Sequence, residues 1–208
     1  MPTYNRKDDL SSAFNDFWQE ALNSNKDYYS KLTLKEFVHL KKAITNINNI
    51  ITMLVTESFV KTLHKDGVIS TPQQSKMLEQ LFETHANTNG FDVEHSAGQM
   101  KIVAEVKCNI PVNETSFGAA QENSIMEDVD HLFHSKKKSD LTSEDIQDFY
   151  KFMVFLDVEN GLDVKNVRVS TQKLIRKLTK KGLNVTEYTP KTKLQKDIVY
   201  FIYISTEK

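Results

Sequence analysis

Apolar residues recur at helical spacing through the first third of the chain, and residues 8–65 are predicted to be helical. Thr33 followed three positions later by Glu36 has the pattern of a capping box and marks a helix start. From there an apolar stripe continues to Val60, and we predict one long helix that packs against another subunit as well as its own core. An earlier helix is predicted from a stripe made of Leu10, Phe14, Phe17, Trp18, Ala21 and Leu22.

The pattern changes period after a further helix that opens at Pro72, since proline suits the first helical turn. Residues 91–97 and 101–108 then predict two strands of a hairpin, the second β-branched and apolar around a charged pair. The following segments alternate: helix 118–133, strand 149–158, helix 164–181 closed by Gly182, and strands 184–188 and 198–205.

This order predicts an α/β fold with a mixed central sheet flanked by helices, behind a helical N-terminal section. We place the helical section at residues 1–70, as a dimer surface or DNA clamp, and the α/β core at residues 71–208. The chain length suits a single compact domain that contains both parts.

Composition excludes some classes of protein. The formal net charge of −1 gives no global positive field, so local lysine clusters such as residues 136–138 and 191–196 matter more. Cys108 is the one cysteine, which excludes a disulfide within this chain and fits a reducing cytosol. The N-terminus has no apolar signal segment, and residues 44–60 are too polar to span a membrane. We expect a cytoplasmic protein.

The hairpin turn fixes which residues face each other. Gly98-Gln99 has glycine first, which suits a two-residue type II′ turn. That turn places Asp92 opposite Glu105 and Glu94 opposite Val103. If the register is shifted, Glu94 takes the place of Asp92 as the first acid.

Opposed residues of an antiparallel pair share a face, so the side chains of Asp92 and Glu105 are predicted to converge. Lys107 points the same way because it lies two residues beyond Glu105. Two facing carboxylates repel each other, and a divalent cation such as Mg²⁺ would remove the repulsion. A neighbouring lysine can orient water and stabilise charge on a phosphate. The bland alternative is a solvated strand face with a local ion pair.

These residues resemble the PD-(D/E)xK phosphodiesterase superfamily, the fold of many type II restriction endonucleases. Asp92 matches the first acid and Glu105-Val106-Lys107 matches the (D/E)xK element, while Phe91 stands where the motif has proline. The resemblance covers residues 72 to 205 and implies a restriction-endonuclease-like core.

The resemblance also implies a chemistry. Mg²⁺ would be bound by Asp92, Glu105 and the carbonyl of Val106, with Lys107 beside the attacking water. The implied enzyme is a homodimer that cuts both strands of double-stranded DNA at a specific sequence. Two alternatives stay open: a repair or structure-specific nuclease of the same fold, and a non-catalytic interaction protein that works through its helical surface.

Other residues are further candidates. Glu79, preferred over Glu83, is a possible additional acid on the helix before the hairpin, and Gln121 is a possible auxiliary residue at the start of the next helix. The histidines show no metal-ligand spacing and are expected at the surface. The candidates for contact with DNA phosphates are Lys136, Lys137 and Lys138.

Overall fold

The computed structural model describes residues 5–84, 90–97, 100–111, 116–137, 139–157 and 167–205. The chain divides into two compact units, Met1–Ile47 and Asn48–Lys208. None of the helices in the described ranges is both long and apolar enough to cross a membrane.

The first unit is helical. It contains α1 (Arg6–Ala21), a short 3-10 helix (Tyr29–Lys31) and α2 (Leu34–Ile44). The predicted capping box is confirmed, because the Thr33 N–H donates to Glu36 Oε2 at 2.7 Å and the Glu36 N–H donates to Thr33 Oγ1 at 3.4 Å. A cluster of aromatic rings holds the unit together, made of Phe14, Trp18, Tyr28, Tyr29 and Phe37.

The prediction of one long helix from Thr33 to Val60 is wrong. Helix α2 ends at Ile44, and α3 (Ile47–Lys65) begins after a turn at Thr45 and Asn46. The Thr45 hydroxyl donates to the Lys41 carbonyl at 2.8 Å. The Thr45 backbone N–H donates to the Lys42 carbonyl at 3.3 Å, which tightens the last turn of α2. Thr45 and Asn46 are adjacent residues of low helix propensity, which favours a break at this point.

The second unit carries the sheet, and its helices and strands lie close to the predicted segments. Residue 158 of the predicted strand and residues 164–166 of the predicted helix lie outside the described part of the chain. After α3 the elements are α4 (Thr71–Glu83), β1 (Val93–His95), β2 (Ile102–Lys107), α5 (Ala119–His134), a 3-10 helix (Asp145–Asp148), β3 (Tyr150–Asp157), α6 (Val167–Lys180), β4 (Val185–Glu187) and β5 (Val199–Ser205).

The five strands form one mixed sheet in the order β1-β2-β3-β5-β4. Strand β1 is antiparallel to β2, and the other neighbours run parallel. The predicted α/β class with a mixed central sheet is therefore confirmed. Because β2, β3 and β5 are parallel, their carboxyl ends meet at one edge of the sheet.

Helices cover both faces of the sheet. On one face Phe59 of α3 and Met77 of α4 pack against Ile102, Ala104 and Val106. On the other face the apolar residues of α5 and α6 pack against the strands, and Val103 belongs to this core. Side chains alternate along a strand, so Glu105 and Lys107 share the α5 side with Val103.

Candidate active site

The hairpin has the predicted register. Glu94 pairs with Val103 in the antiparallel ladder, and Asp92 lies just before β1. The Asp92 side chain continues the contact between the two strands beyond the ladder, because its Oδ2 accepts a hydrogen bond from the Val106 N–H at 2.7 Å. The Gly98-Gln99 turn, from which the register was derived, lies outside the described residues.

The same hydrogen bond shows which way the Val106 peptide faces. In a strand ladder, the N–H and C=O groups of one residue point toward the same neighbouring strand. The Val106 N–H points to Asp92, so the Val106 carbonyl faces the Asp92 edge as well. Two carboxylates and a backbone carbonyl are thus brought to one corner of the hairpin.

Glu105 is buried, with 4% of its surface exposed. Burial raises the pKa of the Glu105 carboxyl to about 8, and the negative charge of Asp92 contributes in the same direction. Burial also raises the pKa of Asp92, although that residue keeps an exposed surface. Protein therefore surrounds the pair closely on one side while solvent reaches it on the other, as an open ligand site requires.

Lys136 lies at the acid pair. Its Nζ is 2.5 Å from Glu105 Oε1 and 3.1 Å from the Gly90 carbonyl oxygen, and it lies 5.1 Å from the centroid of the Phe91 ring. The contact of Lys136, Lys137 and Lys138 with DNA phosphates stays a prediction. Lys137 is exposed, and Lys138 lies outside the described residues.

Lys107 is held by α5. Its ammonium forms an ion pair with Asp128, and these two side chains are 17% and 15% exposed. It also donates to Ser124 Oγ at 3.4 Å, while His131 Nδ1 lies 3.9 Å from the Asp128 carboxylate. Sequence reasoning missed Asp128. The available signal was the spacing of Ser124, Asp128 and His131 at i, i+4 and i+7, which puts a polar row on one side of α5.

The two auxiliary candidates, Glu79 and Gln121, lie on α4 and at the start of α5. Glu79 is exposed on α4, and α4 packs on the sheet face opposite to Glu105. Gln121 caps the start of α5, where its Oε1 accepts from the Gly118 N–H at 3.1 Å and its Nε2 donates to the Ile110 carbonyl at 3.4 Å. A role of either residue in the reaction stays a prediction.

The histidines do not all lie at the surface. His95 is 1% exposed, and its Nδ1 is 3.4 Å from Gln80 Oε1. It is buried because its strand partner, Ile102, faces the core beneath α4. Burial lowers the pKa of His95, which favours the neutral ring. His131 is half-buried beside Asp128, whereas His134 is exposed as expected.

The donor set at the hairpin fits Mg²⁺. No group of three or more His, Cys, Asp or Glu side chains in the described ranges is gathered as a metal site. Mg²⁺, however, commonly takes one or two carboxylates and completes its shell with water and substrate phosphate. Asp92, Glu105 and the Val106 carbonyl supply such a set. The cation that contacts Glu105 in this structure is the Lys136 ammonium.

Comparison of the chain with protein-family models, with curated proteins and with solved structures finds no match. Any functional assignment therefore depends on the chemistry of this site. Its features are an acid pair in which Glu105 is buried, a lysine in an ion pair with Asp128, and a second lysine that contacts Glu105.

Proposed function

We propose that this protein is a Mg²⁺-dependent endonuclease that hydrolyses phosphodiester bonds of double-stranded DNA. Its proposed family is the PD-(D/E)xK superfamily, and its proposed role is that of a sequence-specific type II restriction endonuclease with the corresponding core fold. One observation carries the proposal. The hairpin register brings Asp92 next to the Glu105 strand, while Lys107 lies two residues further along the same face.

Asp92, Glu105 and the Val106 carbonyl would hold the metal ion. When bound, Mg²⁺ supplies a positive charge that lowers the pKa of a bound water and stabilises charge on the phosphate. The protein's own part is to hold the oxygens together. The Val106 N–H fixes one Asp92 oxygen, which leaves the other Asp92 oxygen for a ligand.

Lys107 would orient the attacking water and stabilise the negative charge that develops on the scissile phosphate. Asp128 is a positioning residue in this scheme, because its carboxylate forms an ion pair with the Lys107 ammonium and restricts the lysine side chain. Lys136 would contact Glu105 when no metal ion is bound. Its place at the pair also supports the view that a cation belongs there.

A homodimer is part of the proposal, because two sites related by a twofold axis cut both strands of a palindromic sequence. The first unit supports it with a set of large apolar side chains that are exposed, which is a feature of interaction surfaces. These are Leu10, Phe17, Leu22, Leu34, Val38 and Ile44.

The test is incubation of the purified protein with plasmid and phage DNA in Mg²⁺. Discrete bands are expected, and Asp92→Ala and Glu105→Ala should abolish them while a gel shift in EDTA still shows DNA binding. Glu94→Ala is the matched control, because Glu94 pairs with Val103, two residues from Asp92, and should not be needed. A nicked product or a smear would favour a repair or structure-specific nuclease. No cleavage under any of these conditions would contradict the proposal.

A further inference from the structure

The outer face of α6 is strongly basic. Lys173, Arg176, Lys177 and Lys180 lie at i, i+3, i+4 and i+7, and all four are exposed. The helix contains no Asp or Glu between Val167 and Lys180. This concentration is not a consequence of composition, because the whole chain carries a formal net charge of −1.

Packing keeps this basic face turned to solvent. Leu174 and Leu178 are buried in the core, so the opposite side of the helix carries the cations outward. Like charges at these spacings repel each other. Attraction to the carboxyl end of the helix dipole accounts for Lys177 and Lys180 in the last turn, but Lys173 and Arg176 lie before it. An external anion would offset the remaining repulsion.

The basic face adjoins the helix that supports the candidate site. Lys177 Nζ is 2.6 Å from Glu122 Oε1 in the first turns of α5. Two residues further along α5, Ser124 accepts a hydrogen bond from Lys107 at 3.4 Å. Glu122 and Ser124 point to different sides of α5, so the basic face of α6 and Lys107 flank the same helix.

We propose that the α6 basic face, defined as Lys173, Arg176, Lys177 and Lys180, binds the phosphate backbone of a nucleic-acid duplex. The inference rests on the proposed function, since it identifies a surface for the duplex that the site cuts. The row of cations spans about 10 Å at 1.5 Å per helical residue, and a duplex presents one negative charge per about 1.7 Å of its axis. A membrane fits less well, because a helix that lies on lipid inserts its apolar face, and that of α6 is occupied by the core.

The experiment measures duplex binding without cleavage. The fluorescence anisotropy of a short labelled DNA duplex is followed in EDTA over a range of salt concentrations. The test variant is Lys173→Gln with Arg176→Gln and Lys180→Gln, which leaves Lys177 in its ion pair with Glu122. The matched control makes the same change of charge at three exposed lysines of α3 and α4, Lys61→Gln, Lys65→Gln and Lys76→Gln.

Each phosphate contact contributes about 0.9 to the slope of log affinity against log salt, so the test variant should lose roughly 2.7 of that slope. The control should keep the wild-type slope. An unchanged slope in the test variant, an equal loss in the control, or a wild type that does not bind duplex would overturn the proposal. So would wild-type binding to phosphatidylserine vesicles in place of DNA.

The two proposals can fail separately. If the α6 variant loses its salt slope while the wild type cuts no DNA in Mg²⁺, the basic face stands and the nuclease assignment falls. If the wild type cuts DNA and the α6 variant binds and cuts equally well, the nuclease assignment stands and the basic face falls.

Discussion

Replacing Glu105 by glutamine should stabilise the protein when no metal is present. Glutamine has the shape of a protonated glutamate and an amide oxygen that can still accept from Lys136, but it cannot ionise. The wild-type carboxyl is buried beside Asp92, and its pKa is raised from 4.5 to about 8. The substitution therefore removes the free energy that the fold spends on keeping Glu105 protonated above the ordinary pKa of a glutamate.

The sign follows from proton binding. Between pH 4.5 and pH 8 the folded protein keeps a proton on Glu105 that the unfolded chain releases, so the free energy of unfolding falls as pH rises through this range. A difference of one in pKa corresponds to about 1.4 kcal/mol. The free energy of unfolding should therefore be lower by about 3 kcal/mol at pH 7, and by about 5 kcal/mol well above pH 8, than at acid pH. Glu105→Gln should be more stable than the wild type by these amounts and equal to it below pH 4.5.

The assay is urea unfolding of both proteins in EDTA at several pH values, followed by the same series with Mg²⁺. Wild-type protein should regain stability with the ion, by about 2.7 kcal/mol at a hundred times the dissociation constant, and the variant should gain less. The reasoning is refuted if Glu105→Gln is no more stable than the wild type at pH 7 and both proteins show the same dependence on pH.

Three further predictions concern the lysines and the assembly. Lys107→Met should fold and bind DNA but cut at least about a hundredfold more slowly in single-turnover assays, and equal rates would remove Lys107 from the site. Lys136→Gln should raise the affinity for Mg²⁺ measured by titration calorimetry, because the competing ammonium at Glu105 is gone; an unchanged affinity would contradict that competition. Light scattering should show a dimer, and a monomer at all concentrations with and without DNA would refute the homodimer.

Local patterns explain why the hairpin could be predicted. The alternation of side chains along β2 and the register derived from Gly98-Gln99 involve neighbours within one hairpin, and one residue of slip would turn each side chain to the opposite face of the sheet. The observed pairing of Glu94 with Val103 therefore follows from a short stretch of sequence. The capping box at Thr33 was predictable for the same reason.

Other features depend on packing between distant segments. Asp128 reaches Lys107 because α5 lies across the hairpin, and the orientation of α5 cannot be obtained from its own periodicity. The segment around Lys136 has the basic composition of a solvated loop, so the sequence did not indicate a buried partner. In the fold, the Lys136 ammonium reaches the buried Glu105 carboxyl group. The break at Thr45 was missed because the apolar stripe continues through it, so hydrophobic periodicity alone gave no signal.

The position of the acid pair reconciles burial with access. Five of the six residues of β2 are buried, and Lys107, the last of them, is half-buried at the carboxyl end of the strand. Strand β1 begins at Val93, one residue after Asp92. The Val106 N–H of β2 therefore donates to the Asp92 side chain and not to a backbone carbonyl of β1. An acid pair in the middle of the sheet would be closed to a phosphate. At this end, the apolar strand β3 on the other side of β2 keeps the sheet stable. Solvent reaches the proposed site at this end of the strand, because Asp92 is exposed there.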